Sequence, residues 1–254
     1  MFASICLLLA CAPASAQSAA SSSRVSDDDV SFGALVRDLG RNFRDLLSVE
    51  NAVILGSTGA VAVLVHGEDA EISREWSGAS RFDHVFAPGD VMGGGLVQVG
   101  AAVGTYVVGR AVDSPRTALL GADLIRAQTI NGVLTQGIKL AVQRQRPDGG
   151  RYSFPSGHTS ATFATATVLQ RDLGWRVGVP AYAVAAFVGV SRIQGNHHYP
   201  TDVLFGAAIG IVSARTATIG HGPATFALSP VAAPGTVALV FTRCQPRRSP
   251  DARH

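Results

Sequence analysis

Lysine is almost absent from this chain. Of 21 basic residues in 254, 20 are arginine and the one lysine is Lys139, against 18 acidic residues. A formal charge of +3 is far too small for electrostatic capture of nucleic acid, and the arginines are dispersed rather than striped. Cysteine is nearly missing too, at Cys6, Cys11 and Cys244. Charged residues make up only 15% and apolar residues 47%, which excludes a disordered chain and leaves ample mass for a buried core in one domain or two small ones. The 28 glycines follow no fixed period, so collagen-like and solenoid architectures are excluded.

Residues 1–16 form a short apolar core ending in Ala14-Ser15-Ala16, a small-residue cleavage signature, although no basic residue precedes it. Cleavage predicts a periplasmic or secreted protein; lipoprotein processing at Cys11 is the weaker alternative. Only Cys244 would remain, which excludes an internal disulfide, so the fold must hold by its core. Residues 17–30, rich in serine and aspartate, read as a disordered linker.

From Phe32 to Leu47 apolar residues recur at helical spacing, with Arg37, Asp38, Arg41, Arg44 and Asp45 on the polar side. Further helices are predicted over 52–66, 91–112, 118–144, 158–171, 178–194 and 201–219. The fold expected is all-α, a compact bundle of about six core helices spanning residues 31–222. Residues 226–231 and 236–242 read as a short β-hairpin capping the bundle, and a basic tail completes the segment 223–254.

Long apolar runs are also scarce. A spanning helix needs about 20 predominantly apolar residues. Val91–Gly109 offers 19 without charge but includes six glycines and Gln98; between Arg176 and Arg192 there are 15, and Val203–Ala214 gives 12. The 118–144 segment carries Asp123, Arg126, Gln128, Asn131, Gln136 and Lys139, which a lipid-facing helix would not tolerate. Gly100–Gly104 and Gly206–Gly210 fit the close-packing motif of membrane helices, but soluble bundles use it as well. Run length therefore favours a soluble periplasmic bundle, with an inner-membrane protein whose site faces the periplasm as the alternative.

Three segments combine cations, histidines and helix starts. In Lys139-Leu-Ala-Val-Gln-Arg-Gln-Arg146-Pro147, positions seven apart share a helical face, so Lys139 and Arg146 would project together before Pro147 stops the helix. In Pro155-Ser156-Gly157-His158, Ser156 is a natural N-cap, and the free amides of a helix start suit a phosphate that Gly157 allows to approach. In Ser191-Arg192-Ile-Gln-Gly-Asn-His197-His198-Tyr-Pro-Thr-Asp202, Pro200 marks the first helical position. Asp202 in that first turn could then orient one nitrogen of His198 and leave the other nucleophilic. A metal site of His197, His198 and Asp202 is the alternative, and no further ligand cluster supports it. Taken alone, the first segment reads better as a solvated basic face and the second as a plain capped helix.

Together and in this order, the three resemble the type 2 phosphatidic acid phosphatase/vanadium haloperoxidase superfamily, whose pattern is KxxxxxxRP, PSGH and SRxxxxxHxxxD. All eleven defining positions match. The resemblance implies a metal-independent phosphomonoesterase of the acid or lipid phosphatase type, with no cofactor and a phosphorylated small molecule or lipid head group as its partner. Lys139, Arg146 and Arg192 would clamp the phosphoryl oxygens, with the Ser156 and Gly157 amides and the Ser156 hydroxyl completing the cradle. His198 would become phosphorylated, Asp202 would orient it, and His158 would serve as acid and then base. Tyr152, Phe154 and Tyr199 are candidate pocket walls. The rival enzyme is a haloperoxidase holding vanadate in the same cradle, for which a chain of this length leaves little room. A non-enzymatic phosphate binder would have no use for His158, His198 and Asp202.

Overall fold

The structure, a computed structural model, describes residues 31–77, 83–218, 225–233 and 236–244. The leader, the residue 17–30 linker and the tail beyond Cys244 lie outside the described residues.

Ten helices run through the described residues. Helix α1 (Phe32–Asp45) is capped by the Ser31 hydroxyl, which accepts from the Ala34 N–H at 3.1 Å. Helix α2 (Val49–Val65) is capped in the same way by Ser48. A 3₁₀ turn then leads into α3 (Asp69–Ser77). Two short helices, α4 (Asp83–Phe86) and α5 (Pro88–Met92), precede α6 (Gly95–Ala111). The bundle proper continues with α7 (Pro115–Val142), α8 (Gly157–Leu173), α9 (Trp175–Gln194) and α10 (Pro200–Ala217). The predicted fold class holds, and the main helices match their predicted positions closely. Strands β1 (Thr225–Ala233) and β2 (Thr236–Cys244) pair antiparallel, with Thr225 opposite Cys244 and Ala233 opposite Thr236.

Two boundaries differ in an informative way. The predicted 91–112 helix is broken at Gly93-Gly94, where the chain bends by 53° between α4–α5 and α6. Helix α7 does not run on to Pro147. Gln143 adopts a left-handed conformation (φ 51°), and its N–H closes the helix on the Lys139 carbonyl at 3.0 Å. Arg146 therefore sits on a loop rather than two helical turns beyond Lys139. That loop is pinned by Arg146 N–H to the Gly150 carbonyl at 2.8 Å and by Ser153 N–H to the Arg144 carbonyl at 2.8 Å.

Helix α7 is central, and most of the polar residues along it point inward, Thr129 and Gln136 being exposed. Asp123, Arg126, Gln128, Asn131, Thr135 and Lys139 are all buried, while Val133 and Leu140 are 55% and 61% exposed. Gln128 donates to the Ala161 carbonyl and to the Thr165 hydroxyl of α8, both at 2.9 Å, and Thr135 meets Ser160 at 3.1 Å. Arg126 pairs with Asp123 and reaches Asp38 of α1 at 3.1 Å. A buried polar group left without a partner costs about 1–3 kcal/mol, so these contacts fix the helix order.

Small residues set how closely the helices approach. A Cβ on Gly206 would lie 2.6 Å from the Ser156 carbonyl oxygen, and one on Gly210 would lie 2.2 Å from that of Ser160, so α10 packs backbone to backbone on α8. Gly100 and Gly104, the other pair singled out by spacing, have nothing within 4 Å. Gly109 and Gly121 join α6 to α7 instead, since a Cβ on either would lie 2.2 Å from the backbone nitrogen of Ala118 or Tyr106 respectively.

Candidate active site

Antiparallel packing brings four helix ends to one end of the bundle: the end of α7, the start of α8, the end of α9 and the start of α10. The motif residues sit on these ends or on the loops joining them. At the end of α7, buried Lys139 donates from Nζ to the Tyr152 carbonyl at 2.5 Å and reaches the Ser153 carbonyl at 3.5 Å. A Cβ on Gly157 would lie 3.9 Å from Lys139 Cε, so the lysine stem crosses the start of α8.

Ser156 occupies the N-cap position of α8, as its sequence context predicts, but its side chain makes no capping bond. The first intrahelical bond runs from Ser160 N–H to the Ser156 carbonyl at 3.0 Å, so the amides of Gly157, His158 and Thr159 precede the ladder. The Ser156 amide, implied as part of the cradle, donates instead to the Asp202 carbonyl at 2.9 Å. That bond takes the amide out of the cradle and leaves Gly157 and the residues after it to meet an anion. The Ser156 hydroxyl accepts from Thr159 Oγ1 at 2.9 Å.

The loop after α9 turns on Arg192, whose carbonyl accepts the N–H groups of both His197 and His198 at 3.1 Å. The Arg192 guanidinium is buried and pairs with Asp90 of α5. His198 is buried, with Nδ1 3.5 Å from Asp202 Oδ2. Removal from water pushes its imidazole down to about 4; Asp202 opposes this, and Lys139 and Arg146 add to it. The ring is therefore neutral at any ordinary pH. His197 turns away to Asp148, 3.0 Å from its Oδ2, rather than joining His198 and Asp202 around a shared ion. Among the described residues no three His, Cys, Asp or Glu side chains converge as a ligand set.

His158 is half-buried in the first turn of α8, within electrostatic reach of His197, Arg146 and Lys139. The break between α5 and α6 lies directly over it, because a Cβ on Gly93 would come within 2.8 Å of His158 Cβ. The arrangement thus sets a neutral, oriented imidazole, a second imidazole, three cations and an open helix start around one end of the bundle.

Against this geometry, residues 148–225 match the PAP2 superfamily. That match takes in the second and third motifs and falls short of half the chain. The lipid A 1-phosphatase of Porphyromonas gingivalis is 42% identical over 98 residues, covering 37% of this chain and 22% of that one. Among solved structures, LpxE of Aquifex aeolicus aligns with a TM-score of 0.50 at 25% identity, over 59% of this chain and 93% of that one. The transmembrane PAP2 type phosphatidylglycerolphosphate phosphatase of Bacillus subtilis aligns with a TM-score of 0.52 at 20% identity, over 67% of this chain and 94% of that one, a likeness of fold. The chain spans only 22% to about half the length of the first curated relatives it matches.

Within the matched segment, two of the aromatic pocket candidates are engaged internally. Phe154 stacks on Phe205 of α10 with centroids 4.9 Å apart, and Tyr199 lies beneath the Arg144 guanidinium at 4.0 Å. Tyr152 is half-buried, with the Arg151 guanidinium 5.3 Å from its ring centre. Sequence reasoning missed the groups that hold Asp202. Arg144 Nη1 donates to Asp202 Oδ1 at 2.7 Å, the Ser153 hydroxyl donates to Oδ2, and the Tyr199 N–H donates to Oδ2 at 2.9 Å. Arg144 falls at an unspecified position inside the first motif. The only available signal was its placement two residues before Arg146, beyond the end of α7.

Proposed function

We propose that this protein is a metal-independent phosphomonoesterase that removes a phosphate from a lipid head group, with its active site at the outer surface of a bacterial inner membrane. The observation that carries the chemistry is the buried, neutral His198 held beside Asp202 and within the field of Lys139 and Arg146. His198 Nε2 attacks phosphorus in line, forming an N–P bond as the ester P–O bond breaks. His158 gives its proton to the departing alkoxide. Lys139, Arg146 and Arg192, with the first amides of α8, neutralise the charge that gathers on the non-bridging oxygens. A water molecule then gives a proton to His158 and attacks phosphorus, and the N–P bond breaks. Asp202 balances the charge on the imidazole while it carries the phosphoryl group. Three fixed cations supply the electrostatic stabilisation that a divalent ion provides in other phosphatases, and no cofactor is needed.

The surface supports the membrane setting over the soluble bundle that run length favoured. Val49–Ser77 and Trp175–Gln194 are long and apolar enough to cross, and His84–Met92 with Gly95–Ala111 qualifies as a bent third span. Leu96 is 92% exposed, and Val97, Val99, Val103, Val107 and Val108 of α6 are exposed with it. A soluble protein rarely shows so continuous an apolar face. Helix α7 buries Asp123, Arg126 and Lys139 while exposing Val133, Leu140 and Val142.

Arginines cluster at the end opposite the site: Arg37, Arg41 and Arg44 on α1, Arg110 and Arg116 around the α6–α7 turn, and Arg176 and Arg215 beyond. The site end carries Glu68, Asp69, Glu71 and Glu75 and, apart from the cations of the site itself, Arg74 and Arg151 among the described residues. Cytoplasmic loops are enriched in arginine, so this asymmetry turns the site outward. The lipid A 1-phosphatase relative supports a lipid-borne phosphate.

The test is a substrate panel of p-nitrophenyl phosphate, phosphatidic acid and an isoprenyl diphosphate, run on detergent-purified protein with excess EDTA. Release of inorganic phosphate from the lipids is expected. Its loss in EDTA, with recovery on adding a divalent ion, would contradict the assignment.

A further inference from the structure

We propose that Arg144 and Asp69 act as positioning residues, a largely buried ion pair with Asp69 inside and Arg144 partly exposed, which locks the Asp202 carboxylate against His198 and sets how much of its negative charge His198 feels. The proposal rests on the reading of His198 as nucleophile. It concerns residues at none of the eleven defining motif positions, one of them on a helix far upstream in the chain.

A carboxylate offers about four lone-pair positions. On Asp202, Arg144 Nη1 takes Oδ1 at 2.7 Å, while the Ser153 hydroxyl and the Tyr199 amide share Oδ2 with His198 Nδ1 at 3.5 Å. Rotation of the carboxylate would break all of these contacts at once. Arg144 is itself held from the other side. Its Nη2 donates to Asp69 Oδ2 at 2.8 Å, its Nη1 also reaches Thr201 Oγ1 at 2.9 Å, and its face lies over the Tyr199 ring.

Asp69, the first residue of α3, is buried. Its Oδ1 accepts from the Thr201 amide at 3.1 Å, and its Oδ2 accepts the Thr201 hydroxyl and stands 3.3 Å from His66 Nδ1. Asp69 thus sits at the start of α10, where a carboxylate meets the positive end of the helix. One planar guanidinium is shared between two carboxylates, a task that suits the fork of arginine and not the point charge of lysine.

A buried ion pair gives little net stability and is often replaceable by apolar side chains, so a stabilising role alone accounts poorly for this one. Its charge arithmetic bears directly on His198. Asp69, Arg144 and Asp202 together carry one net negative charge. Neutralising Arg144 leaves two negative charges beside His198, whereas neutralising Asp69 frees Arg144 to cancel Asp202. The other charged or titratable groups on the neighbouring elements are common to both variants: Lys139 on α7, Arg146 on the loop after it, His158 on α8, Arg192 on α9 with its partner Asp90, His197 next to His198 in the chain, and His66, which contacts both Arg144 at 3.1 Å and Asp69 at 3.3 Å.

The experiment measures kcat and the acid limb of kcat/KM for Arg144→Gln, Asp69→Asn and Arg144→Lys, with the pH dependence of orthovanadate binding measured alongside. Arg144→Gln should raise the acid limb by roughly 0.5–1 pH unit and Asp69→Asn should lower it, since each change reaches His198 through the Asp202 carboxylate that Arg144 holds. Arg144→Lys keeps the charge but cannot span both carboxylates; it should hold the limb in place while kcat falls roughly tenfold to a hundredfold, as when a group orienting an active-site residue is lost. A scaffold role would move all limbs together or not at all, and that result overturns the proposal. If one variant fails to fold, Arg144→Lys still decides, because an unchanged kcat contradicts the proposal. Absent turnover in the wild-type protein would overturn the phosphatase reading instead. Opposed shifts in orthovanadate binding would then still support the pair, and equal or absent shifts would overturn it.

Discussion

The Ser156 amide donates to the Asp202 carbonyl at 2.9 Å, so the turn that opens α8 and the helix that carries the acid of the dyad are one rigid unit. The same contact explains why glycine is required at 206. A Cβ there would lie 2.6 Å from the Ser156 carbonyl oxygen, backbone that cannot give way without moving the cradle.

Gly206→Ala should therefore lower stability by about 1–3 kcal/mol, the usual range for overpacking, and reduce kcat with it. Gly100→Ala, with nothing within 4 Å, should be neutral or stabilising by up to about 1 kcal/mol, because alanine favours the helix. Thermal unfolding of the two variants in detergent checks the pair.

His198 must be neutral to attack, and burial holds its imidazole down to about 4. The acid limb of kcat/KM should fall near pH 4 rather than near the 6.5 or so of an ordinary histidine. Between those values the unfolded chain takes up a proton that the folded chain refuses, so stability should also fall as pH drops from about 6.5 toward 4. A limb near 6.5 in the pH profile would contradict the buried, neutral nucleophile.

Lys139→Arg should damage the enzyme despite keeping its charge. The ammonium fits between the Tyr152 and Ser153 carbonyls at 2.5 and 3.5 Å, a buried slot for a compact donor rather than a planar fork. Loss of a charged hydrogen bond of about 1.5–3 kcal/mol corresponds to a drop in kcat/KM of roughly tenfold to a hundredfold. Kinetics on one substrate, with unfolding as a control, tests it.

His158→Ala should slow hydrolysis in proportion to how badly the leaving group needs a proton. For an alkyl or lipid phosphate the loss should reach about 10²–10⁴-fold. For p-nitrophenyl phosphate, whose leaving group departs as a stable anion, it should be much smaller. Equal losses on both substrates would remove His158 from the acid role.

The helices and motif positions were legible because their signals are local: a 3.6-residue period, a cap at Ser156, a proline at the start of α10. The exposed apolar faces were not, because counting charges along 118–144 ignores which face they occupy. In the fold Asp123, Arg126 and Lys139 all point into the bundle and Val133 and Leu140 point out. The glycine spacing at 100–104 misled for the same reason: spacing shows that a close contact is possible but not which partner lies opposite. Arg144 and Asp69 were invisible because they meet only through tertiary structure, 75 residues apart in sequence. The left-handed Gln143 that redirects the chain toward Asp202 bears no turn signature of glycine or proline.

The central claim is that phosphate passes through His198. A single turnover with substrate labelled in its phosphate, quenched in alkali and mapped by peptide, tests this directly. The label should appear on the peptide containing His198, accumulate in His158→Ala, and vanish together with turnover in His198→Ala. Turnover that persists in His198→Ala, or label found on another residue, would contradict it.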